Sequence, residues 1–138
     1  MVRQDHRQHG PALESRSLFA HPMAMTAQTI TRTPLLKALI GQRKVNAVDI
    51  REIRFAPGQR TTRHLHPCTV VGYVAEGAAI LEIEGQPAQT LPAGSAYHEP
   101  AGAVITDFRN ASATEPMTFI SVYLLDGDQE LITMLPAA

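Results

Sequence analysis

The sequence predicts an all-β domain, an antiparallel sandwich or barrel of short strands. Three observations carry that reading. From Val45 onward, apolar and polar residues alternate with a period of two. Breaks rich in Gly, Pro and Asn recur between the apolar runs and favour tight turns. No helical pattern intervenes between these runs, as it would in a parallel βαβ arrangement.

Size and charge bound the function. The chain has 138 residues, enough for one domain with a real core. Its formal net charge is -1, and no basic run interleaves with aromatics, so nothing points to nucleic acid or an anionic membrane as partner. No apolar run is long enough to span a bilayer. Cys68 is the only cysteine, which excludes an internal disulfide.

Residues 1–28 differ from the rest and read as a disordered or non-native extension, with the domain at 29–138. The apolar patch around Phe19 is interrupted by His21 and Pro22, so it does not make a working signal peptide, and the expected location is cytoplasmic. His6, His9 and His21 fall in this tail. Residues 34–41 begin with Pro34 and end with Gly41, which suits one or two helical turns or an edge strand. An imperfect strand follows from Val45, with Val48 and Ile50 alternating with Asp49, Arg51 and Ile53, until Ala56-Pro57-Gly58 breaks it. Further strands are expected at 62–66, 70–75, 78–84, 88–91, 96–99, 104–108 and 117–125. The 78–84 run alternates cleanly, with Leu81 and Ile83 set against Ile80, Glu82 and Glu84.

His64-Leu65-His66 lies in the first of these segments. Side chains alternate along a strand, so both imidazoles project from one face and can share a metal ion. Cys68, two residues on, could face the same cavity, although a lone cysteine is more often a small inert apolar residue. Arg63 should point outward, and Gln59 and Arg60 should sit near the mouth.

The order of these pieces resembles the cupin superfamily, in particular its small single-domain, cupin-2-like members. Gly58, His64, His66 and Gly77 match the first cupin motif. Gly85, Pro92, Gly94, Pro100, Gly102 and Asn110 match the second, with one extra residue before Pro92. The resemblance spans about residues 33–125. It implies a double-sheet jelly-roll barrel. Two departures stand out: the first motif's Glu falls at Val70, and the second motif's His falls at Ile105. The usual set of three His and one Glu is therefore absent.

Glu99 is the expected substitute. It shares a strand face with Tyr97, and the resemblance makes that face the interior. The resemblance then implies a divalent-metal site of His64, His66 and Glu99, with iron, zinc, manganese or nickel all acceptable to two imidazoles and a carboxylate. Tyr97, Val70 and Ile105 are expected to line a small-molecule pocket, and His98 to face outward. An oxygenase-like or isomerase-like reaction follows by analogy, so catalysis stays open. The alternative is a metal-free ligand-binding module, in which Val70 and Ile105 enlarge an apolar pocket. Small cupins commonly pair through their sheets, so a homodimer is expected, with 29–39 and 131–135 as candidate contacts.

Overall fold

A computed structural model describes residues 28–138. The extension expected over 1–28 lies, but for its last residue, outside the described residues. The compact unit Pro34–Ala138 contains the nine strands found among the described residues. They are β1 (Ala47–Phe55), β2 (His64–Leu65), β3 (Thr69–Glu76), β4 (Ala78–Ile83), β5 (Gln89–Pro92), β6 (Ala96–Glu99), β7 (Val104–Asn110), β8 (Met117–Leu125) and β9 (Thr133–Met134). They form two antiparallel sheets, ordered β1-β8-β3-β6 and β5-β4-β7-β2-β9. This is the all-β, double-sheet architecture that the alternation predicts. No described helix is long and apolar enough to cross a membrane.

Side-chain phase follows from the pleat. In β8, Phe119, Ser121, Tyr123 and Leu125 are buried while the residues between them are half-exposed. In β4, Ala79, Leu81 and Ile83 point inward, as their alternation requires. The buried aromatics Phe55, Phe108 and Phe119 belong to one core cluster with Val74 and Leu81. A second cluster joins Cys68, Val70, Tyr123 and Leu125. Register shifts at Val74/Glu76 and at Glu82/Ile83 mark bulges in the β3–β8 and β4–β7 ladders. The second lets β7 bury both Ile105 and Phe108, three residues apart, against the core.

Two segments depart from expectation. Residues 34–41 form neither helix nor strand; Leu35, Leu36 and Leu39 are exposed there, and Leu35 and Leu36 lie along the outer face of the four-stranded sheet. The 62–66 strand shrinks to His64–Leu65, because Pro67 cannot donate to a ladder and the His66 carbonyl instead accepts from the Gly102 amide. A strand that the sequence does not signal, β9, pairs with this short β2, so part of 131–135 adds to its own chain's sheet.

Candidate metal centre

The three candidate ligands come from facing sheets. His64 lies in β2 and His66 just beyond it, on the five-stranded side, whereas Glu99 ends β6 on the four-stranded side. All three are buried. One ligand atom from each lies within 4.8 Å of the others, so together they could hold a metal ion.

The sheet registers explain how a site forms despite the two departures from the cupin motifs. Val70, where the first motif has Glu, is the direct partner of Glu99 across β3 and β6. Ile105, where the second motif has His, is the direct partner of His64 across β2 and β7. Directly opposed residues hold their Cβ atoms about 4.5–5.5 Å apart. The carboxylate has thus moved one strand sideways, and an apolar side chain stands where a further imidazole would be. Val70 and Ile105 are 1% and 0% exposed.

Hydrogen bonds fix the imidazole tautomers. His64 Nδ1 lies 2.7 Å from the Thr62 carbonyl and His66 Nδ1 lies 2.6 Å from the Leu131 carbonyl. A carbonyl only accepts, so each Nδ1 must carry the proton. Each Nε2 then presents a lone pair, the state in which histidine binds metal. His66 Nε2 faces Glu99 Oε2 at 2.7 Å. This is a close approach rather than an aligned hydrogen bond, since Glu99 Oε2 is buried without a hydrogen-bond partner. Burial acts most strongly on His66 and pushes its pKa down, but Glu99 and the Leu131 carbonyl together raise it above the usual value. His64 is lowered, chiefly by burial, with the Thr62 carbonyl opposing.

A cavity of about 110 Å³ adjoins these ligands. Phe55, Phe108 and Phe119 line it from one core cluster and Tyr123 from the other, with Ser121 between. Ile53 and Ile132 add to its lining. The sequence does not single out Ser121 or Tyr123; the available signal is their inward phase on the 117–125 strand, shared with Phe119. Tyr97 is buried and reaches the cavity lining indirectly, its hydroxyl 2.8 Å from Ser121 Oγ. Val70 and Ile105 stand beside the ligands as their cross-strand partners and are not among the residues that line the cavity.

The remaining candidates stand apart. Cys68 is buried beside Val70 and Leu125, and its thiol is pushed up by burial. Arg60 is held by Asp107, at 3.3 and 2.9 Å, and Arg63 pairs with Glu84 at 3.0 Å. Gln59 accepts the Ala56 amide. His98 faces the opposite side of β6 from Glu99, half-buried.

A double-sheet β domain with an inward His-x-His and a facing carboxylate defines a class, and the comparisons name it. The Cupin domain profile matches residues 51–123, and the chain belongs to that family. No curated protein matches the chain. Among solved structures, a cupin-like protein from Thermotoga maritima aligns with TM-score 0.56 and 23% identity, over 65% of each chain. Oxalate oxidase in complex with the substrate analogue glycolate aligns with TM-score 0.56 and 23% identity, over 64% of this chain and 46% of that one. The DMSP lyase of Ruegeria pomeroyi aligns with TM-score 0.55 and 17% identity, over 63% of this chain and 42% of that one. The chain therefore spans just under two thirds of the first relative and less than half of the two enzymes. At these identities the likeness is one of fold.

Proposed function

We propose that the domain is a metal-dependent cupin that binds a small molecule beside one divalent ion held by His64, His66 and Glu99. The carrying observation is the His66–Glu99 contact. With Nδ1 committed to Leu131, His66 Nε2 and Glu99 Oε2 would meet as two buried acceptors at 2.7 Å. Two lone pairs in a low-dielectric interior repel, and a positive charge between them turns that repulsion into ligation. In the metal-free protein a proton shared by the pair serves instead, consistent with the raised His66 pKa.

Two imidazoles and a carboxylate suit zinc and non-haem iron alike, and three protein donors leave room for a further ligand. A divalent ion there would supply Lewis acidity or oxygen activation, the basis for an oxygenase-like or isomerase-like reaction. The chain's own residues orient the donors: the Thr62 and Leu131 carbonyls fix the rings, and the β3–β6 register aims Glu99. Phe55, Phe108 and Phe119 keep water from that side of the cavity. The enzymes in the comparison, oxalate oxidase and DMSP lyase, fit a small-substrate chemistry on this fold. We also propose a homodimer, from the exposed apolar residues Val48, Ile50 and Tyr73 on the four-stranded sheet and the leucines of 34–41.

Elemental analysis of untagged protein, purified without chelator and reloaded with iron, manganese, nickel or zinc, tests the metal centre. Near-stoichiometric metal should be lost in His64→Ala/His66→Ala and in Glu99→Ala. Ile105→His should tighten binding, since it adds an imidazole beside His64. Metal that persists in Glu99→Ala would refute the ligand set. No uptake by the parent protein would leave the metal-free binding module, for which the apolar Val70 and Ile105 are the supporting observation.

A further inference from the structure

The cavity beside the candidate ligands has two chemically different walls. His64, His66, Glu99, Ser121 and Tyr123 supply polar atoms, whereas Ile53, Phe55, Phe108, Phe119 and Ile132 supply apolar surface. Among the described residues, no Lys or Arg lines it. Arg51, on the face of β1 that opposes Ser121 in register, is engaged by Asp49 at 2.9 and 3.2 Å. The cavity's 110 Å³ is room for about four waters at roughly 30 Å³ each.

The polar wall has a direction. Tyr97 is buried, and among the described residues Ser121 Oγ is the only side-chain partner of its hydroxyl. If Ser121 donated to Tyr97, the tyrosine proton would be buried without an acceptor, which is costly. Tyr97 therefore donates and Ser121 accepts, which frees the Ser121 proton. The donor left over from the Tyr97–Ser121 pair is the Ser121 hydroxyl, which lines the cavity, and the Tyr123 side chain lines it beside Ser121. Gly72 makes the arrangement possible: a Cβ there would lie 2.3 Å from the Tyr97 hydroxyl oxygen and 2.6 Å from the Ile120 carbonyl.

We infer that the cavity takes a short-chain carboxylate, a monoanion of about four to six non-hydrogen atoms by its volume. The carboxylate lies on the His64, His66 and Glu99 side, where Ser121 or Tyr123 donates to it. The apolar tail lies against Phe55, Phe108 and Phe119. The inference rests on the metal-centre reading: a divalent ion less the charge of Glu99 leaves one positive charge, and no cation among the described lining residues competes for the anion. Ser121 is then a binding residue, and Tyr97 positions it.

Calorimetric titration of metal-loaded protein with acetate, butyrate, octanoate and butyramide tests this, with metal content measured on the same samples. Butyrate should bind about tenfold tighter than acetate, from two buried methylenes. Octanoate should bind more weakly than butyrate, and butyramide at least tenfold more weakly. Ser121→Ala should weaken butyrate about tenfold or more, through loss of a hydrogen bond to a charged group. Its metal content should stay unchanged, and Ser121→Thr should restore binding. Butyramide binding as tightly as butyrate, octanoate binding tightest, or no binding by metal-replete protein would overturn the inference. Protein that takes up no metal would overturn the metal-centre reading as well, and the metal content separates the two failures.

Discussion

Glu99 acts on the protonation of both neighbouring imidazoles, His66 and His64. Glu99 holds His66 above the ordinary histidine value of 6.5, while burial holds His64 below it. In metal-free protein the His66 contribution to stability is fully present below the unfolded-state histidine pKa. It is lost as pH rises through the raised folded value. His64 acts in the opposite sense: its lowered folded value costs stability as pH falls below the unfolded-state pKa. Histidine NMR titration of the metal-free protein should place His66 above His64, and Glu99→Gln should bring His66 down. An unchanged His66 titration in that variant would show that Glu99 is not its partner. Metal uptake should begin to weaken at a higher pH than an ordinary histidine would set, because the proton competes for His66 Nε2.

Among the elements, β3 and β6 depend on each other through Gly72. Its Cβ would meet the Tyr97 ring at 2.2 Å and the Ile120 backbone at 2.6 Å, and the latter cannot swing away. Gly72→Ala should therefore cost about 1–3 kcal/mol, as overpacked cores do, measured by urea unfolding. Tyr97→Ala in the same chain should recover only part of it, because the Ile120 carbonyl stays. Full recovery would place the whole clash on the tyrosine. These close approaches were not legible in the sequence, where Gly72 is simply one residue of the expected 70–75 strand. The hairpin was legible: Gly77 has φ 77° and connects β3 to β4 where the sequence breaks. The inward phase of Glu99 was legible too: period-two alternation puts it on the face of Tyr97, and the cupin resemblance makes that face the interior. β9 was not, since a two-residue strand in 131–135 has no pattern of its own and depends on β2.

For the whole molecule, the sequence carried the fold and the sheet faces because strand alternation is local information. It could not carry the register that sets Val70 against Glu99 and Ile105 against His64, which depends on which strands become neighbours. It announced a small-molecule pocket but not the walls of this cavity, which come from β1, β7, β8 and the segment after Leu131. The outer face of the four-stranded sheet leaves Val48 and Ile50 55% and 65% exposed, more than a face meeting only water favours. Ile50→Asp should shift the protein toward monomer in size-exclusion chromatography with light scattering. An unchanged mass would remove this face as the interface.

His64 and His66 belong to one sheet and Glu99 to the other, so an ion bound by all three would be a cross-link between the layers. The unfolded chain offers only the two neighbouring imidazoles, and the carboxylate arrives when the sheets close. Occupancy would then act like a staple whose strength depends on concentration: free metal at a hundred times its dissociation constant adds about 2.7 kcal/mol to the folded state. Loss of metal would loosen the two layers against each other before it disturbed either sheet from within, so the same ion that prepares the cavity for chemistry would also set how readily the sandwich opens.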